Sequence, residues 1–503
     1  MRRIAALLLA LVALSSIGLA LARLSGAAAG LRVERLAIGE IPATVFRPAS
    51  SGAAPVVVIA HGFAGSQQLM QPFANTLARN GFVAVTFDFP GHGRNPRPLA
   101  GGLSDDKAAA SALLGTLGRV VEATRGLGDG RLALLGHSMA SDIVVRWALD
   151  RPEVSATVAL SLFGPAVTAD RPHNLLLVAG AWEPAFLTGE ARRLVGMATD
   201  GPVAENATYG SMAEGTARRL VLADGVEHIG VLYSAESLAA SLAWLDAAFG
   251  REPAGFLDIR GRWLGLLFGG LLVLAWPLSL LLPRAAAAPV GGGMPWRRFW
   301  PVAVVPAVMT PLALRLLPTN FLPLLLGDYL VAHFALYGAL TAALLWRRHA
   351  PRPVSAMPAP RAVLAGLAIA GFAILGLGLP IDWYVTAFMP PPHRLWLVPA
   401  MLCGTLPWFL ADEWATRGTA AARLAYPATK AAFLLSLLLA IALDPPRLFF
   451  LAIIVPVMLV FLTVYGLFGR WSWRATGTPV PAALGNALAL AWAMAVTFPM
   501  VLR

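Results

Sequence analysis

A succession of long apolar runs over residues 263–503 constrains this chain more than any other feature. Each run is close to the ~20 residues an α-helix needs to cross the hydrocarbon core of a bilayer. Eight spans are expected, at 263–283, 299–317, 321–346, 362–381, 395–411, 424–443, 448–468 and 480–502. Proline and glycine interrupt several of them, which membrane helices tolerate because neighbouring groups satisfy the freed backbone. The low charge content agrees: 13% of residues are charged, against about 25% in soluble proteins.

The net charge of +12 does not indicate nucleic-acid binding. Only Lys107 and Lys430 are lysines, and the arginines of the second half sit between the apolar runs. That pattern marks topology rather than a phosphate-binding face. With residues 30–255 outside, the loops that fall inside hold eleven arginines: Arg284, Arg297, Arg298, Arg347, Arg348, Arg352, Arg361, Arg417, Arg423, Arg470 and Arg474. The loops outside hold three, Arg315, Arg394 and Arg447. Arg260 and Arg262 oppose this orientation, whereas Arg2 and Arg3 agree with it. The expected product is a multi-pass protein of the cytoplasmic (inner) membrane with the bilayer as partner and residues 30–255 extracytoplasmic. Asp382, Asp412, Glu413 and Asp444 lie near span ends, where solvation is expected to account for them. Asp328 and His333 fall inside one run, and an ionisable group there is a functional candidate. Five residues apart, they do not share a helix face.

Residues 1–29 begin with Arg2 and Arg3 and continue as about 19 mostly apolar residues. The run exceeds the ~7–15 residues of a signal-peptide core, which favours an anchor over a peptide cleaved near Ala29. The lone Cys403 excludes an internal disulfide and a cysteine-built metal site.

Between these apolar regions, residues 30–255 alternate strand and helix patterns, giving three expected parts: 1–29, 30–255 and a helical membrane domain over 256–503. After a leading hairpin at 32–48, short apolar runs at 55–62, 82–90, 131–136, 156–164, 174–180 and 218–224 read as buried strands separated by helices. That is an α/β class with a mostly parallel sheet, whose ligands bind at the carboxyl ends of the strands.

The chemistry-bearing residues fall at those ends. Gly136-His137-Ser138-Met139-Ala140 nearly matches G-x-S-x-G, with alanine replacing the last glycine. Such a turn needs small flanking residues, exposes the serine hydroxyl and aims a helix N-terminus at it. A serine needs a base, and His228 follows the last strand. The base needs an orienting acid, and Glu183 follows the preceding strand, with Asp224 and Asp170 as rivals. The order Ser, acid, His is that of α/β-hydrolases.

Residues 33–250 resemble the α/β-hydrolase superfamily in "AHGFAG" (60–65), "FDFPGHGR" (87–94), "GHSMAS" (136–141), "GAWEP" (180–184) and "EHIGVLYS" (227–234). The resemblance reaches esterases, lipases, dienelactone-hydrolase-like enzymes and serine peptidases, and does not cover the membrane half. It implies oxyanion donors at the backbone N–H groups of Phe63 and Met139, and structural roles for Asp88 and for Gly91-His92-Gly93. His61 and His137 are also read as structural. Only residues 165–173 separate two strands between which the family often inserts a lid, and the loop 199–216 is a candidate to cover the site instead.

The expected activity is therefore that of a serine hydrolase cleaving an ester or related acyl bond of a small-molecule or lipid substrate, with no metal or cofactor. A membrane transport or interaction protein using the fold as a binding module, and an acyltransferase, are the alternatives.

Overall fold

The computed structural model describes residues 2–49, 52–102, 105–164, 167–252, 255–348 and 360–502. The chain divides into two compact units. One comprises Leu19–Leu266, Ile381–Ala387 and Pro499–Arg503; the other comprises Met1–Gly18, Leu267–Pro380 and Phe388–Phe498.

The first unit is built on a nine-stranded sheet of β1 (Leu31–Ile38), β2 (Ile41–Pro48), β3 (Val56–Ala60), β4 (Val83–Phe87), β5 (Leu132–His137), β6 (Val154–Leu160), β7 (Leu175–Gly180), β8 (Thr208–Tyr209) and β9 (Arg218–Ala223), in the order β1-β2-β4-β3-β5-β6-β7-β9-β8. The six strands from β4 to β9 in that order are parallel. Every residue of β3, β4, β5 and β7 is buried, which explains their unbroken apolar sequences. Edge strand β1 instead alternates in exposure.

Helices α2 (Gln71–Arg79), α3 (Asp106–Thr124), α4 (Met139–Ala148) and α5 (Ala185–Gly196) connect the strands, after an N-terminal α1 (Arg2–Gly26), and α6 (Ala235–Phe249) follows β9. Asp105 starts α3 by accepting the Ala108 N–H at 2.9 Å, and Gly250 ends α6 in the left-handed region. Phe73, Phe82, Val57, Leu135, Val158 and Trp244 share one core beneath the sheet. Phe73→Ala in that core would cost about 3–5 kcal/mol.

The loop 199–216 does not cover the strand ends that carry the candidate residues. Its short strand β8 pairs Thr208 with Arg219 and Tyr209 with Arg218, at the first residues of β9 and hence at the opposite end of the sheet. Within the short β6–β7 connection, residues 165–166 lie outside the described residues.

The second unit is helical: α7 (Gly261–Ser279), α8 (Trp296–Leu314), α9 (Gly327–Arg347), α10 (Pro360–Gly371) continuing through a π-helical turn into α11 (Gly378–Tyr384), α12 (Leu397–Thr416), α13 (Ala425–Leu443), the one-turn α14 (Pro445–Leu448), α15 (Leu451–Thr476) and α16 (Val480–Thr497). Seven helices among the described residues are long and apolar enough to cross a membrane, α1 and six of the eight expected downstream. These apolar helices mark a membrane protein. The two expected spans that fall short are α8, which carries Arg297, Arg298 and three internal prolines, and α12, which carries Asp412 and Glu413.

Those two carboxylates correct a second expectation. Asp412 and Glu413 are buried rather than solvated, the first paired with Lys430 and the second with Arg417 at 2.9 Å. Burying a charge is tolerable only with such a partner. Asp382 is likewise buried, paired with Arg94 at 2.7 Å. Arg417 and Arg394 are buried too, so neither is a solvated loop charge; removing both leaves the arginine bias intact. Asp328 accepts the Tyr329 N–H at 2.8 Å, and buried His333 meets Ser436 Oγ at 3.1 Å.

Candidate active site

Ser138 sits between β5 and α4 with φ +55° and ψ −121°. That backbone is strained for a residue with a Cβ and is held by its surroundings. The Ser138 N–H donates to Leu160 O at 2.9 Å, and Ser141 Oγ donates to Ser138 O at 2.6 Å. Gly136 is required here: a Cβ on it would lie 2.4 Å from Ala140 O. Ala140 is fully buried and accommodated, so the elbow's strict glycine requirement is at its first small position.

Ser138 Oγ lies 2.9 Å from His228 Nε2, and His228 Nδ1 lies 3.3 Å from Glu183 Oε2. An ionised carboxylate only accepts, so the His228 proton belongs on Nδ1 and Nε2 is left to accept from Ser138. The loop bearing His228 is fixed twice. His137 Nε2–H donates to the His228 carbonyl at 2.9 Å, and the Glu227 carboxylate accepts the N–H groups of Ile229 and Gly230 at 2.8 Å each. Gly180 lets β7 approach this loop, since a Cβ there would lie 2.4 Å from Val226 O.

Glu183 also accepts from Ser161 Oγ at 2.6 Å and from the Gly180 N–H at 2.9 Å. Burial acts to raise its pKa, but the hydrogen bonds from His228, Ser161 and Gly180 outweigh it and hold the carboxyl below the ordinary glutamate range. Of the rivals, Asp170 is held by Thr168 at 3.0 Å, and the Asp224 N–H donates to Glu236 at 3.0 Å; among the described residues the carboxylate hydrogen-bonded to His228 is that of Glu183.

His137 is driven down to about 3, first by burial and then by the neighbouring His228. It is a neutral structural donor at ordinary pH. His61 is also lowered by burial; its Nε2 accepts the Phe89 N–H at 3.1 Å. Asp88 anchors the turn beside it, accepting from the N–H groups of Gln67 (2.7 Å) and Arg94 (3.0 Å).

The loop after β3 lies directly on the nucleophile. A Cβ on Gly62 would be 3.0 Å from both His137 O and Ser138 Cβ. Phe63 therefore follows the point of closest approach. Met139 opens α4, so its N–H belongs to the first turn, where N–H groups have no intrahelical acceptor and the helix dipole is positive. Around the site stand Trp182 (71% exposed), Phe163 (58%) and Phe186 (55%), the last two in edge contact at 6.3 Å.

The sequence reading missed Ser161, Glu227 and the aromatic rim. Ser161 follows β6 in a positive-φ turn (φ +58°) at the same strand ends as the other candidates, a conformation that the sequence does not announce.

Residues 52–198 match the family described as serine aminopeptidase, S33. A 113-residue stretch is 33% identical to "Putative carbamate hydrolase RutD" of Klebsiella pneumoniae subsp. pneumoniae, covering 22% of this chain and 39% of that protein. A 108-residue stretch is 32% identical to an uncharacterized protein of Mycobacterium tuberculosis, covering 21% and 36%. The chain thus spans less than two fifths of the length of these relatives. Among solved structures, the "predicted CIB-like hydrolase" from Thermoplasma acidophilum is similar at 16% identity and TM-score 0.32, over 44% of this chain and 98% of that one. Epoxide hydrolase VrEH1 from Vigna radiata is similar at 24% identity and TM-score 0.22, over 28% and 42%. Sheet order, the turn at Ser138 and the match over residues 52–198 give the first unit an α/β-hydrolase fold, joined in one chain to a helical region of apolar helices.

Proposed function

We propose that the chain is a membrane-bound serine hydrolase that cleaves an ester or related acyl bond, with Ser138 as nucleophile, His228 as base and Glu183 as its orienting acid. The observation that carries this is the unbroken hydrogen-bonded chain from Ser138 Oγ through His228 to a buried Glu183. Ser138 Oγ attacks the acyl carbon while His228 Nε2 takes the hydroxyl proton. The backbone N–H groups of Phe63 and Met139 hold the developing oxyanion. His228 then protonates the leaving group, the acyl–Ser138 bond remains, and water activated by the same histidine releases the acid. Glu183 stays ionised throughout, stabilising the imidazolium.

The exposed Phe163, Trp182 and Phe186 favour a substrate with an apolar group, of small-molecule or lipid type. The family match to a serine aminopeptidase supports a second reading, cleavage of an amide, and places amides beside esters in any substrate panel. The arginine bias supports a cytoplasmic-membrane location with this domain outside. With α8 crossing beside α7, α9 and α10–α11, Ile381–Ala387 returns to the side of residues 30–255, in keeping with its membership of the hydrolase unit.

Labelling of membranes with a fluorophosphonate probe tests the reading. The wild type should label and Ser138→Ala should not. Labelling that survives in Ser138→Ala, or is absent from both, rejects the nucleophile. On spheroplasts, a membrane-impermeant probe should label the wild type equally well; protection until lysis rejects the orientation.

A further inference from the structure

Residues 381–387 lie between α11 and α12 in sequence but belong to the hydrolase unit. They grip one place on it. Ser66, three residues beyond Phe63, is fully buried. Its Oγ accepts the Ala387 N–H at 2.8 Å and shares a hydrogen bond with Thr386 Oγ1 at 3.0 Å. Asp382 pairs with Arg94 at 2.7 Å, and the Arg94 N–H donates to Asp88, whose other oxygen accepts the Gln67 N–H. Gln68, with its amide oxygen turned toward Arg94, donates to Ser66 Oγ at 2.9 Å and closes the ring. Two further bonds seat the segment, from Gln71 Nε2 to Trp383 O (3.2 Å) and from Arg260 Nη1 to Tyr384 O (3.3 Å).

These contacts converge on the downstream end of the loop His61–Ser66. Its upstream end is fixed by β3 and by the approach of Gly62 to Ser138. Between them the chain makes a tight turn, with the Gly65 N–H donating to Gly62 O at 3.1 Å and Ala64 at φ +55°. Such a turn is retained only when its ends are held. The direction of the Phe63 N–H therefore depends on where Ser66 is pinned.

We infer that Asp382 and Thr386 are positioning residues for the oxyanion loop, so that the hydrolase site is complete only with a segment contributed from within the helical half of the sequence. The inference rests on the functional reading above, in which the Phe63 N–H stabilises the oxyanion. An oxyanion donor acts on the transition state and not on substrate binding, so its misplacement lowers kcat and leaves KM unchanged.

The test uses the full-length protein in detergent or nanodiscs with a chromogenic ester. Thr386→Val keeps the side-chain shape and removes the hydroxyl; Asp382→Asn removes the charge facing Arg94. Each should lower kcat by about tenfold or more, with KM within twofold of wild type and unchanged elution and circular dichroism. Thr386→Ser should restore kcat. Wild-type kcat in both Thr386→Val and Asp382→Asn overturns the inference, as does a loss in Thr386→Ser equal to that in Thr386→Val. Ser138→Ala run in parallel separates the two levels: if it remains active, the nucleophile reading has failed, whereas an inactive Ser138→Ala beside a fully active Thr386→Val rejects the positioning role alone.

Discussion

Ser161→Ala removes one buried donor and nothing else from the candidate site. The Ser161 hydroxyl donates to Glu183 Oε1 at 2.6 Å, while the Gly180 N–H at 2.9 Å and His228 at 3.3 Å remain. A hydrogen bond to a charged group contributes about 1.5–3 kcal/mol. For a unit of this size, each kcal/mol moves the melting temperature by ~2–4 °C, so a drop of about 3–12 °C is expected at pH 7. The pH dependence is the sharper signature. Glu183 has a folded-state pKa held below its ordinary value of 4.5. The stability from its ionised form is therefore fully present above pH 4.5 and is lost as pH falls through the lower folded value. Ser161 contributes part of that lowering, so the gap between wild type and Ser161→Ala should be widest at neutral pH and close progressively below pH 4.5. Thermal unfolding of the detergent-solubilised pair between pH 7 and pH 3 measures this. A gap absent at pH 7, or constant across the whole range, would refute an ionised Glu183 held by Ser161.

Three further outcomes follow from the same geometry. His137 is held neutral, with its pKa down to about 3 from 6.5, so its contribution to stability is complete above pH 6.5 and is lost on acidification toward 3, at up to about 1.4 kcal/mol per pH unit; pH-dependent melting of His137→Gln, which keeps a donor, should be correspondingly flatter. Gly62→Ala places a Cβ 3.0 Å from Ser138 Cβ and His137 O, and the resulting shift of the loop should reduce kcat by roughly 10–100-fold without loss of expression or fold. Trp182→Ala removes exposed aromatic surface beside Glu183, which should lower kcat/KM for a long-chain ester by about 30-fold, on the order of 2 kcal/mol, while an acetyl ester is hydrolysed at the wild-type rate; equal loss on both esters would reject a substrate-facing role for the rim.

The parallel sheet was legible because its strands are buried on both faces, and such strands announce themselves as unbroken apolar runs ending in small residues, as in Val56–Ala60 and Leu175–Gly180. Ser138, Glu183 and His228 were legible for the same reason, since each follows such a run and the sheet brings consecutive strand ends together. Ser161 escaped because serine after a strand is ordinary, and only the turn it makes aims its hydroxyl at Glu183. The pairing of Thr386 with Ser66 joins residues 320 apart, and no local periodicity records it. The membrane half was read too uniformly. Run length alone does not separate α9, which meets the hydropathy for a span, from α12, whose Asp412 and Glu413 lower its hydropathy and have to be buried against Lys430 and Arg417.

The central claim is that Ser138 is the nucleophile of an acyl-transferring site. Its most direct test is peptide mapping by mass spectrometry of the purified full-length protein after reaction with a fluorophosphonate. The account predicts a single phosphonyl adduct on the peptide containing Ser138, lost in His228→Ala, in which no base remains to take the hydroxyl proton. An adduct on any other residue, or an unmodified Ser138 under conditions that label other serine hydrolases, contradicts it.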